Sequence, residues 1–217
     1  MKDKKKIITG AVGAVLAVVL IVGFVGSLLS RSDESPPELE SVYDRLVYLV
    51  EESLTLNTVL FNDDGLPAYK RDSDLANLSR MYNGMSDGWE YVMGDYTRFK
   101  STEEIGSAMA QVYSRDFRTS LEERLFTGIS TGVGVISIKY TDDPFIQWVS
   151  DKEPEKKINV GMRFYDYSSM TVLPESSETC LKVSVRSYSE KTPDTWEDRT
   201  LTFVYENGDW YLDGPTY

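Results

Sequence analysis

The sequence contains no histidine and a single cysteine, Cys180. Without histidine the chain cannot build Ser-His-Asp or Cys-His catalysis, and it lacks the commonest protein ligand of zinc. One cysteine excludes any intrachain disulfide, so the fold must rest on apolar burial. Residues 38–217 are numerous enough to supply such a core. An extracellular eukaryotic domain of this size ordinarily carries disulfides, so the chain reads as bacterial, from a Gram-positive envelope. On that reading Asn77-Leu78-Ser79, which fits the glycosylation sequon, is a chance match. Internal repeats and low-complexity tracts are absent too.

Basic charge is scarce: 23 Lys and Arg against 35 Asp and Glu leave a net −12. Residues 1–30 hold four Lys and one Asp, so residues 31–217 carry −15. A domain this acidic repels nucleic acid and anionic membrane surfaces, which argues against either as a partner. The same charge keeps it soluble and suits basic protein surfaces.

What the sequence does have is one long uncharged apolar run, Ile7–Leu29. Lys2, Lys4, Lys5 and Lys6 precede it and Arg31 follows it. At about 1.5 Å per residue the run spans roughly 34 Å, enough for a hydrocarbon core of about 30 Å. A cleaved export signal carries an apolar core of only about 7–15 residues, so the run is expected to be a permanent anchor. The lysines place residues 1–6 in the cytoplasm and residues 38–217 outside the cell membrane. No cysteine lies near the end of the run, which excludes a lipoprotein anchor. Gly10/Ala14 and Gly13/Ala17 have small-xxx-small spacing, the pattern of a homodimer face between spanning helices.

Residues 30–37 (SRSDESPP) form a short tether, ended by a Pro-Pro pair that favours extended chain. A helix is expected from Glu38 on, with Leu39, Val42, Tyr43, Leu46, Leu49, Val50 and Leu54 on one buried face. Leu75, Leu78 and Met81-Tyr82 predict a short helix, and Trp89–Thr97 a strand running into a loop. Ser101 and Glu104 make a capping box, and Ser114 caps a further helix with Phe117, Leu121 and Leu125 inward. Gly128, Gly132 and Gly134 end this helical half.

From Val133 the apolar period changes from 3.6 to 2. Strands are predicted at Val133–Tyr140, Phe145–Val149, Ile158–Tyr167, Ser169–Leu173, Thr179–Tyr188 and Thr200–Tyr205. Asn207-Gly208 predicts a tight hairpin pairing Leu201–Tyr205 with Trp210–Leu212. Helices followed by one long antiparallel sheet define an α+β domain.

Two stretches carry a family resemblance. Tyr96–Phe126 runs from an aromatic strand end through two capped helices to Leu-Phe, and Leu201–Tyr217 is a hairpin with an Asn-Gly-Asp-Trp turn. Together they resemble the cystatin-like/NTF2-like extracytoplasmic domains of Gram-positive bacteria, most nearly the IseA-type inhibitors of cell-wall DL-endopeptidases. The resemblance implies amphipathic helices on a curved antiparallel sheet, and a non-catalytic module that binds and regulates a wall hydrolase. An anchor, a tether and an NTF2-like domain in that order also resemble the VirB8-like scaffold subunits of conjugation machines. A pocket-bearing enzyme or small-ligand binder of the same fold is the opposing reading.

Candidate chemistry is sparse. Adjacent helical residues point about 100° apart, so Glu103-Glu104 and Glu122-Glu123 are poor metal clamps and serve as helix-end or solvated carboxylates. Asp63-Asp64 and Asp142-Asp143 lie in turns. Asp95, Asp166 and Asp213 stand beside aromatics, where a desolvated carboxylate would gain a raised pKa. No catalytic residue, metal or cofactor is assigned. Trp and Tyr anchor protein interfaces, so Trp196, Trp89, Tyr91, Tyr165 and Tyr167 are taken as the binding set, whereas Trp148 and Trp210 are expected in the core. Trp196, between carboxylates in Pro-Asp-Thr-Trp-Glu-Asp, is the leading candidate, for a partner with a basic, apolar patch.

Overall fold

A computed structural model describes residues 35–69, 89–127, 138–142, 145–149 and 154–217. The apolar run 7–29, the helix expected around Leu75, the sequon at Asn77 and the glycines 128–134 lie outside these residues. Among the described residues no helix is long and apolar enough to cross a membrane.

The expected first helix is α1, Leu39–Phe61. Leu46, Leu49, Val50, Leu56 and Leu60 form its buried stripe. Two shorter helices follow, α2 (Thr102–Val112) and α3 (Arg115–Glu122). The Glu104 amide donates to Ser101 Oγ at 3.2 Å, and the Glu104 carboxylate accepts from the Lys100 amide at 2.8 Å. Both ends of the box therefore satisfy amides that the first helical turn leaves open. Ser114 caps α3 in the same way, accepting from the Phe117 amide. Residues 123–127 continue α3 as a widened π turn that keeps Leu125 in the core.

The domain is α+β, but it has two four-stranded antiparallel sheets instead of one long sheet. The first is built from β1 (Ala68–Tyr69), β2 (Trp89–Val92), β3 (Tyr140–Thr141) and β4 (Ile146–Trp148), in the order β1-β2-β4-β3. The second is a meander of β5 (Arg163–Val172), β6 (Cys180–Ser189), β7 (Glu197–Glu206) and β8 (Asp209–Leu212). A buried polar side chain explains the division. Gln147 of β4 donates to the carbonyls of Asp64 and Leu66 and accepts from the Leu66 amide. These bonds hold β4 at the carboxyl end of α1, where Tyr140 also donates to the Val59 carbonyl at 2.8 Å.

The strands expected at Ile158–Tyr167 and Ser169–Leu173 are one strand, β5, with a register shift between Asp166 and Thr171. There Ser169 Oγ donates to the Asp166 carbonyl and accepts from the Arg186 amide, replacing ladder bonds at a bulge. Residues 158–162 stay out of the strand because their backbone is committed elsewhere. The amides of Ile158 and Val160 donate to the side chains of Asp63 and Asn62 at 2.8 Å. The terminal hairpin forms as expected, Tyr205 opposite Trp210, with Asn207 and Gly208 both at positive φ.

α1 packs on β5 and β8 of the meander, and Leu181, Val183, Val185 and Phe203 meet its apolar stripe. Two polar residues interrupt that stripe, Ser53 and Asn57, both almost fully buried. Thr216, also buried, reaches them from the carboxyl-terminal segment. Its hydroxyl lies 2.7 Å from Ser53 Oγ and accepts from Asn57 Nδ2 at 3.1 Å. Ser53 Oγ is also 2.9 Å from the Tyr113 hydroxyl, whose pKa burial raises. Thr216→Val keeps the shape of the side chain but strands the Asn57 amide, so unfolding free energy should fall by about 1–3 kcal/mol, read from urea titration with an unchanged slope. Gly65 stands at φ +63, and a Cβ there would meet Gln147 Oε1 at 2.6 Å and the Tyr140 hydroxyl at 2.7 Å. Gly65→Ala should therefore cost at least about 2 kcal/mol, and an unchanged urea midpoint would refute this account of the β4 attachment.

Candidate interaction surface

In β6 the residues Leu181, Val183, Val185 and Ser187 point into the core, so Lys182, Ser184, Arg186 and Tyr188 occupy the outer phase. Tyr188 is thus an aromatic on a polar face. Register places Phe164 of β5 directly opposite it, and the two rings stack at 5.0 Å between centroids. Trp196, just before β7, meets Tyr188 edge-on at 4.8 Å. The Arg186 guanidinium lies over the Trp196 ring at 5.0 Å. Phe164 of β5, Tyr188 of β6 and Trp196 just before β7 form a continuous aromatic row, and Trp196 is 45% exposed. Asp194 and Asp198 are exposed beside it.

The other side of β5 bears Arg163, Tyr165 and Tyr167. Arg163 is nearly buried and donates to Ser187 Oγ at 2.9 Å and to Glu197. Glu197 is thereby turned away from the aromatic row. Tyr165 and Tyr167 stack at 6.2 Å and, with Glu51, Leu54 and Thr55 of α1, line an open groove of about 380 Å³. Burial pushes the Tyr165 hydroxyl up to about 12 against the opposing pull of Arg163 and Arg199, and it donates to the Thr216 carbonyl at 2.7 Å. Burial also raises Tyr167. Phe164 borders both this groove and the outer row.

Of the five expected residues, Tyr165 and Tyr167 come together in the groove, whereas Trp196 lies on the opposite face of the sheet and is linked to Phe164 of β5 only through Tyr188. The other two join neither. Trp89 is fully buried against Ile146 in the first sheet and has no surface to offer. Tyr91 packs half-buried on that same small cluster. Phe164, Tyr188 and Arg186 were not anticipated, and the signal for Tyr188 was its place in the polar phase of β6.

The carboxylates resolve individually. Asp95 is exposed in a single 3₁₀ turn, Asp166 accepts from Ser168 Oγ, and Asp213 accepts a hydrogen bond from Ser114. Asp142 caps α2, accepting from the amide and hydroxyl of Thr102. Among the described residues no three His, Cys, Asp or Glu side chains are grouped to hold a metal ion. Trp210 lies in the core as expected, whereas Trp148 is only half-buried. Compared with protein-family models, curated proteins and solved structures, the chain finds no match.

An exposed aromatic that seals no core should be dispensable for folding. Trp196→Ala should change unfolding free energy by less than about 1 kcal/mol, whereas Phe203→Ala, fully buried, should cost about 3–5 kcal/mol. Paired urea titrations followed by circular dichroism make the comparison.

Proposed function

We propose that the chain is a single-pass membrane-anchored, non-catalytic interaction module of the cystatin-like/NTF2-like class. Its domain stands outside the cytoplasmic membrane and binds another envelope protein through the aromatic row on the polar face of the meander. The Phe164–Tyr188–Trp196 row carries this reading: exposed Phe164 and Trp196 are held in fixed geometry by half-buried Tyr188 on the polar face of the meander. Rigid aromatics that lose little entropy on binding are the usual anchors of protein interfaces. The partner that fits has a basic, apolar surface, because the row is flanked by Asp194 and Asp198 on a domain of charge −15. A wall hydrolase regulated at the membrane surface, as the IseA-type resemblance implies, is such a partner.

The class assignment is supported by a long helix packed on a four-stranded meander. A non-catalytic role is favoured because two of the carboxylates that could act as a base, Asp166 and Asp213, are held by the hydroxyls of Ser168 and Ser114. The anchor follows from the uncharged run Ile7–Leu29 and its lysine flank.

Crosslinking in intact cells that express the full chain, followed by pull-down and mass spectrometry, supplies the partner for titration with purified protein. Trp196→Ala should weaken binding about thirty-fold or more, and affinity should fall with added salt. Recovery of no envelope protein, or equal affinity of the variant, would overturn the proposal.

A further inference from the structure

Outside the aromatic row, Lys139 sits in a cavity of about 340 Å³. Its backbone is fixed at both polar groups: the amide donates to the Leu125 carbonyl at 2.9 Å, and the carbonyl accepts from the Trp148 amide at 2.8 Å. The ammonium donates to the carbonyl of Asn62 at the end of α1. Among the described residues it makes no ion pair, and a second cation, Arg124, lines the same cavity. Burial first, and then Arg124, pull the Lys139 ammonium down from its ordinary value to about 8, while Asp63 and Asp64 act in the opposite direction. A positive group is thus held in a poorly solvated place with one neutral acceptor, beside another positive group. Both features favour an incoming negative charge.

The rest of the cavity selects which anion. Ile138, Trp148 and Val160 supply apolar walls. Its volume falls within the range of small-molecule sites, which are apolar with a few fixed polar groups. Asp63 also lines it, with its carboxylate accepting from the Ile158 amide. A multiply charged anion such as a phosphate would face that carboxylate at close range, whereas a single negative charge aimed at Lys139 and Arg124 leaves it aside.

We infer that this cavity binds a small apolar monocarboxylic acid, its carboxylate paired with Lys139 and Arg124 and its body against Trp148. Such a site would let an acidic metabolite of the envelope act on the module independently of the aromatic row.

Benzoate is the probe, with benzamide as its neutral counterpart and inorganic phosphate as the dianion. Titration of the purified domain-bearing chain by calorimetry and by the Trp148 indole N–H signal should show benzoate binding and no response to benzamide or phosphate. Affinity should decline as pH rises past about 8, where the ammonium loses its charge. Lys139→Met, which keeps apolar volume, should weaken benzoate at least ten-fold, and Lys139→Arg should retain most of the binding. Arg124→Gln, at an exposed position, gives a second test should Lys139→Met fold poorly, and it too should weaken binding. Benzoate that fails to bind at millimolar concentration, binds both variants as tightly as the parent, or binds no better than benzamide or phosphate overturns the inference.

Discussion

The polar atoms of Ser53 and Asn57, set in the middle of an otherwise apolar helix face, impose the constraint on which the fold depends. Buried and unpaired, each would cost on the order of 1–3 kcal/mol. Thr216 satisfies both, and Tyr113 adds a second partner to Ser53. Of the polar atoms of this pair, Asn57 Oδ1 stays buried without a hydrogen bond. Because Thr216 follows β8 by only a few residues, bringing it to α1 also fixes where β8 ends. Arg45 makes a matching attachment two turns earlier on α1. It pairs with Asp209 at 3.0 Å and donates to the Trp210 carbonyl, holding the start of β8. Helix and hairpin are thus tied at two points, and the meander between them has one way to lie.

With the interior so occupied, variation is exported to the edges. β5 is one of the two edge strands of the meander, and its bulge at Asp166–Thr171 interrupts the flat ladder that would otherwise invite edge pairing. Before the bulge the strand carries Phe164 on one face and Tyr165 on the other, and Tyr167, within the irregular stretch, stacks on Tyr165. Exposed rings there are held by neighbouring rings and by Arg186, so they are already ordered before any partner arrives. That preorganisation reduces the entropy lost on binding.

Local signals were legible in the sequence. The α1 stripe, the Ser101 and Ser114 caps and the Asn207-Gly208 turn each act within a few residues, and each is present. The division into two sheets was not legible, since it depends on Gln147 finding the loop at Asp64–Leu66, a pairing more than eighty positions long. Trp196 could be singled out because carboxylates surround it in the chain. Trp89 was misjudged because aromatic–polar alternation reveals that a strand has two faces but not which one is covered. Phe164 and Tyr188 needed the β5–β6 register, and Lys139 needed knowledge that its neighbours in space are Arg124 and apolar walls.

Charge and aromatic surface act at different ranges, and the domain separates them. Several of its basic groups are spent internally: Arg45 on the hairpin, Arg163 on Ser187 and Glu197, Arg186 over Trp196. The outward field is therefore set by carboxylates, and at physiological salt it extends about 8 Å before screening removes it. Within that range a basic surface is drawn in and an anionic one is turned away. On the proposed topology, the field that attracts a basic partner would also repel anionic lipid. Affinity is then decided only on contact, where desolvation of the rings outweighs residual charge attraction.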